Sequence, residues 1–398
     1  MILKAKFWGY ICAVALVGFI GSRGYTHFFD TSSPDLQLQG IDTDNCYSGE
    51  LSCSLLSSKK GEISVSLDGK PLVQKFAIAP GEQGHAFSIP TNTLVNGHHT
   101  LTADITDSTY RKNKSNIERT FYVDNVPLQA ALIKSDDEFK VLQGRTLHVQ
   151  MQLNKKVKSA QISALYQTYD CFPESPNSTV YEAFIPVACE ENAAEYPLAI
   201  EVVDAVGNST NLEDTFQVVS YPFKKSTLHV SNEKMVEEKE LGKDNKQVED
   251  FFLSIAQNSP KEKFWRGSFC APIEVERVST EYGTVRTTQY KGMYAHKAVD
   301  VINTPKSVVW APQKGKVVVK DRFVDTGNTV MIDHGHGVVT MLCHLDTFAD
   351  IKEGQMVNKG NPVGTIGKTG YSSGYHLHWE MRINNVHVDP MQWTQPVF

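Results

Sequence analysis

Residues 375–383 read Tyr-His-Leu-His-Trp-Glu-Met-Arg-Ile (YHLHWEMRI). The composition and alternation are those of a β-strand. Residues two apart on a strand point to the same face. His376 and His378 therefore converge on one point, while Leu377 turns the other way into a core. Upstream, 307–322 (SVVWAPQKGKVVVKDR), 327–335 (GNTVMIDHG), 337–345 (GVVTMLCHL) and 361–370 (NPVGTIGKTG) are short β segments divided by glycine-containing turns. Few stretches here favour helix. Residues 259–398 are expected to form a compact β domain.

The chemically suggestive residues all lie in that domain. His296-Lys297-Ala298-Val299-Asp300 comes first, then His344, then His376-Leu377-His378. A catalytic zinc site commonly takes three protein ligands and leaves one position to water. His296, Asp300 and one histidine of the His-Leu-His pair would supply them. Two neutral imidazoles and one carboxylate leave such a site net positive, which activates water and polarises a peptide carbonyl. The histidine not on the metal, with His344, then serves as general base and acid. Each piece alone is weak; their joint occurrence in one small β domain is a strong signal.

Other histidines compete. His334 and His336, in "IDHGHG", read as loop residues at a strand end, with His336 the nearer to the site edge; His387, in "NNVHVDP", reads as structural. Cys343 precedes His344, but neighbours on a strand face opposite sides, which argues against a nucleophile–base pair. A disulfide to Cys270 or a buried thiol is the expectation.

"AHKAVD", "MLCHLD" and "GKTGYSSGYHLHWEMRINNVHVDP" resemble the M23 (lysostaphin/LytM) zinc metallopeptidases over roughly residues 267–393. The resemblance implies that His296, Asp300 and His378 hold one zinc ion per chain and that His344 and His376 are catalytic. It implies an antiparallel β fold for this domain, with an open groove, and endopeptidase cleavage of bacterial peptidoglycan cross-links. Two positions depart from the family: Ala298 stands where glycine is usual, and Leu342 where an aromatic is usual. The first would strain the loop if it required positive φ; the second would alter the groove wall. Some relatives are non-catalytic regulators that bind cell wall or activate an amidase. They generally lack the metal ligands, and all five motif residues are present here.

The rest of the chain reads as support. A length of 398 residues points to two to four domains, and 41% hydrophobic with 21% charged residues to folded ones. The net charge of −6, with no basic stripe, gives no reason to expect a nucleic-acid partner. Residues 35–127 and 128–223 show short alternating strands at turn spacing, as in "EISVSLDGKPLV" with its turn at Asp68-Gly69. Two tandem immunoglobulin-like sandwiches are expected. Their role is read as spacer, with attachment to cell wall or a division partner as the alternative. Residues 224–258 form a charged connector ending in a helix, since Val248, Phe251, Phe252 and Ile255 fall at helical spacing. Docking of this helix would let the N-terminal domains shield the groove.

Residues 1–34 are an export segment and linker. Lys4 and Lys6 precede an apolar run at 7–21. An uncleaved anchor in the inner membrane is favoured over a cleaved signal peptide, because Ala13-Val14-Ala15 sits inside that run. Either places the body of the chain in the periplasm or cell envelope. Beyond Cys12, six cysteines fall as one pair in each of three segments, which fits disulfides in an oxidising compartment.

Overall fold

The computed structural model describes residues 24–25, 27–80, 84–134, 139–227, 244–288 and 292–396. The apolar run at 7–21 lies outside them. Among the described residues no helix is long and apolar enough to cross a membrane. The chain is mostly β and divides into two compact units, one of residues 1–127 with 205–208, the other of the remainder.

The first unit holds two sheets over one core. A three-stranded sheet runs Leu36–Gln39, Glu50–Ser57, His85–Pro90, and a five-stranded sheet runs Cys46–Tyr47, Lys114–Val123, Gly97–Asp107, Gly61–Leu67, Lys70–Ile78. Leu55, Ile63, Leu101, Ile105 and Phe121 fill the space between. The Asp68-Gly69 turn forms where the sequence places it, with φ of 49° and 75°. Positive φ at both positions matches the twist of a two-residue hairpin.

The second unit begins with another two-sheet assembly. Its five-stranded sheet runs Lys140–Leu142, Ser209–Val219, Glu195–Val203, Ser159–Ala164, Gln167–Asp170. Its four-stranded sheet runs Phe172–Pro173, Val180–Pro186, Thr146–Leu153, Ala130–Ile133. Alternating residues such as Val149, Met151, Ile162, Ile200 and Phe216 make its core.

The C-terminal part is built on one large sheet. Its path is Arg277–Thr280, Val299–Ile302, Leu377–Ile383, Val338–Phe348, Gly327–Asp333, Gly315–Phe323, Met356–Val357. Those pairings are antiparallel. Beside it, Lys225–Thr227, Thr284–Thr288 and Gly292–His296 form a small sheet. One face of the large sheet buries Val299, Val301, Leu342, Leu377 and Trp379. On the other, the helix Asp244–Asn258 lays Val248 and Phe252 against Val319, Met331, Met341 and Cys343, with Phe251 and Ile255 half-buried beside them. The apolar spacing read from the sequence is thus the docking stripe of that helix.

The disulfide expectation fails, since among the described residues no disulfide forms. The reason is placement: Cys53, Cys171, Cys189 and Cys343 are each buried in a different core. Cys270, the partner proposed for Cys343, instead directs its thiol to the Pro312 carbonyl at 3.3 Å. Cys343 is the buried thiol. Its full burial pushes the thiol pKa well above the ordinary range, so no reactive thiolate stands beside His344.

Candidate metal and catalytic centre

Strand register brings the motif residues together. Asp300 pairs with His378 across neighbouring strands, and His378 in turn lies opposite Cys343, next to His344. His296 ends the strand Gly292–His296 of the small sheet and reaches in from the side. Ligand atoms of His296, Asp300 and His378 all lie within 4.8 Å of one another. The His378 Nδ1–H donates to Asp300 Oδ1 at 2.9 Å. His296 Nε2 is 3.1 Å from the same oxygen, yet is buried and makes no aligned hydrogen bond. A buried ring nitrogen aimed at a carboxylate without a shared proton is what a common cation would satisfy.

The electrostatics point the same way. Burial alone would raise the pKa of Asp300, but the adjoining His296 and His378 imidazoles hold it far below the carboxylate range. Burial would lower His378; Asp300 and Glu380 outweigh it and push this imidazole up to about 9. A positive charge is therefore favoured between those two carboxylates. Burial holds His296 below its ordinary value, keeping that imidazole neutral. Two nitrogens and one carboxylate oxygen are a donor set suited to zinc, and the residues fit the ion.

His344 and His376 border the cluster. Their ring centroids are 4.8 Å apart, and His344 lies 5.8 Å from His378. His344 Nδ1 is 2.8 Å from the Thr369 carbonyl, and His376 Nδ1 is 2.9 Å from the Gly374 carbonyl. A carbonyl only accepts, so each Nδ1 carries the proton and each Nε2 is left basic. His376 Nε2 is 3.8 Å from Asp300 Oδ1. Burial, with the nearby His378 and His376 charges, drops His344 to about 3, so it is neutral at physiological pH.

His344 occupies its place through a bulge. Its φ is +60°, and the pairing with Gly327–Asp333 shifts register there. Bulges re-aim side chains beside active sites. The Thr369 carbonyl is held in reach by a close backbone approach. A Cβ on Gly370 would come within 2.3 Å of Gly327 N, and one on Gly327 within 2.4 Å of Thr369. Only glycine permits that contact at positive φ.

The competing histidines take no part. His334 is fully buried, bonded to the Lys314 carbonyl at 2.9 Å and to Thr340 Oγ1 at 3.0 Å. His336 stacks on Phe172 at 3.7 Å rather than sitting at the site edge. His387 lies 3.1 Å from Glu380. Of the two family departures, Ala298 is buried without positive φ, and Leu342 belongs to the core of the domain.

Sequence reading missed two supports. Arg286 Nη2 donates to Asp300 Oδ2 at 3.2 Å, and nothing in its local pattern marks it. Glu380 Oε2 lies 3.8 Å behind His378 Nε2. Strand alternation could have found it, since it is two residues beyond His378 on the same face.

With this geometry in view, residues 294–390 match the model of Peptidase family M23. The matched stretch lies within the C-terminal β domain and contains all five residues of the histidine–aspartate cluster. Peptidoglycan DD-endopeptidase ShyC of Vibrio cholerae serotype O1 is 31% identical over 121 residues, 30% of this chain and 28% of that protein. DD-carboxypeptidase/endopeptidase Mpg of Neisseria meningitidis serogroup B is 34% identical over 125 residues, 31% of this chain and 29% of that protein. Murein hydrolase activator NlpD of Escherichia coli is 30% identical over 123 residues, 31% of this chain and 32% of that protein. The chain thus spans less than a third of the length of these curated relatives.

Proposed function

We propose that this chain is an exported zinc endopeptidase that hydrolyses the peptide cross-links of bacterial peptidoglycan. The observation that carries the reading is the convergence of His296, Asp300 and His378 within 4.8 Å, bordered by His344 and His376. His296, Asp300 and His378 would hold the ion. Zinc, when bound, supplies Lewis acidity that acidifies water and polarises a peptide carbonyl.

The chain's own groups do the rest. Asp300 orients His296 and His378 and is itself fixed by Arg286. His344 and His376, each anchored through Nδ1, present Nε2 to take a proton from attacking water and return it to the departing amine. The names of the ShyC and Mpg relatives support a peptidoglycan cross-link as substrate. The alternative is a regulator that binds cell wall or activates an amidase, the role named for NlpD. The complete ligand set with two basic histidines favours catalysis.

Residues 4–24 support export and, through 7–21, a single inner-membrane anchor. The two N-terminal β assemblies fit immunoglobulin-like spacers, able to meet cell wall or a division partner. The test is digestion of purified sacculi. New amines should appear, vanish with a chelator and return with zinc, and mass spectrometry of the muropeptides should identify the bond. Sacculi left uncut by zinc-loaded protein, with amidase activity stimulated instead, would establish the regulator.

A further inference from the structure

We infer that Glu249, on the helix that precedes the peptidase domain, positions the metal ligand His378 through Arg382 and Glu380. The inference rests on the zinc-site reading above and extends it to a helix outside the matched segment.

Strand alternation places His378, Glu380 and Arg382 on one face, running from the histidine cluster toward the helix. At the helix end, Glu249 grips Arg382 with both oxygens, at 2.6 and 2.7 Å. The guanidinium also lies 3.7 Å from the Phe252 ring centroid, one helical turn on. Arg382 is 2% exposed and Glu380 6%. The Arg382 Nε–H donates to Glu380 Oε1, and His387 Nε2 lies 3.1 Å from the same oxygen. Oε1 is thus occupied, and Oε2 is left facing His378 Nε2 at 3.8 Å. That separation is an ion-pair distance rather than a hydrogen bond, so Glu380 acts as a fixed charge behind the imidazole. A carboxylate there holds the proton on Nε2, and the ion would take the place of the Nδ1 proton that faces Asp300.

The role of Glu249 follows from what Arg382 would do without it. A guanidinium presents five donors in one plane, and its partners decide which edge faces which carboxylate. With Glu249 present, the fork faces the helix and only Nε reaches Glu380. With Glu249 gone, Nη1 keeps its bond to Asn385 Oδ1 at 2.9 Å, but Nη2 is released to join Nε on Glu380 and draw Oε2 away from His378. The helix thereby sets the direction of the Glu380 carboxylate through Arg382.

Zinc dissociation constants, measured on the full chain by competition with a chromophoric chelator, test this. Glu249→Ala should weaken zinc about tenfold, within the usual range for loss of an outer-shell partner. Glu249→Gln keeps acceptor and donor bulk beside Arg382 and should recover most of the loss. Val248→Ala loosens the same helix without touching Arg382; it should lower the melting temperature and leave zinc affinity unchanged. Wild-type affinity in Glu249→Ala, or an equal loss in Val248→Ala, would overturn the relay while the wild-type chain still holds its zinc. If the wild-type chain takes no more zinc than Asp300→Ala, the metal-site reading itself fails and the relay with it.

Discussion

Asp300 touches more of the site than any other side chain: Oδ1 faces His296, His376 and His378, and Oδ2 is held by Arg286. Asp300→Ala or His378→Ala should therefore reduce bound zinc to near zero by elemental analysis of dialysed protein; a full equivalent in either variant would reject the ligand assignment. His344→Ala and His376→Ala should keep zinc but lower turnover by about 10²–10⁴, the usual contribution of a positioned acid or base. Ala298 gives a prediction of opposite character. It is buried and its φ is not positive, so Ala298→Gly should leave zinc unchanged and cost about 1 kcal/mol in urea denaturation. A gain in stability would reveal loop strain instead. The convergence of His376 and His378 was legible in the sequence because spacing alone decides which strand residues share a face. Arg286 was not, because its role depends on a neighbouring sheet delivering it to Asp300.

At the level of elements, alternation identified the strands and apolar spacing the helix, but two local irregularities were hidden. One is the bulge that turns His344 out of register; no residue type announced it. The other is the turn 334–337, read as a loop but packed inside the protein. Burial lowers His334 and His336 from 6.5 to about 4. Between those values the unfolded chain holds more protons than the folded one. Stability should be fully present above pH 6.5 and fall as the pH drops toward 4, by up to about 3 kcal/mol per histidine. Denaturation midpoints across that range would measure it. His336→Asn, which tolerates the positive φ of 52°, should remove one histidine's share of the slope; an unchanged slope would show that His336 does not titrate. The helix Asp244–Asn258 is also more than a connector. Phe252 is 1% exposed within the peptidase core, so Phe252→Ala should cost about 3–5 kcal/mol. A cost below 1 kcal/mol, roughly that of a surface change, would mean the helix docks only loosely.

For the molecule as a whole, the domain boundary at 259 suggested by the change in sequence character omits contacts that the second unit makes upstream of it. Phe184 of the second β assembly packs with Trp265 and Trp393. The Thr146 backbone N–H donates to the Gln392 side-chain amide oxygen and its carbonyl accepts from that amide's nitrogen, while its hydroxyl accepts from Trp393 Nε1 at 3.1 Å. Lys263 reaches buried Glu182 at 2.6 Å, and Arg145 meets Asp389. Periodicity within each segment could not disclose such pairings, since they join residues more than eighty positions apart and leave no local pattern. Their physical consequence is cooperative unfolding. A chain of residues 128–398 should unfold in one transition, with the tryptophan fluorescence of the shared aromatic cluster and the far-ultraviolet circular dichroism of both parts coinciding. Phe184→Ala, a change in the β assembly alone, should lower both midpoints together by about 10 °C, from a cost of about 3 kcal/mol. Residues 259–398 alone should melt lower still, because the seats of Phe184 and Phe252 would then face water. Two separate transitions in 128–398, with only the dichroism of the β assembly shifted by Phe184→Ala, would show instead that the peptidase domain stands without its neighbour.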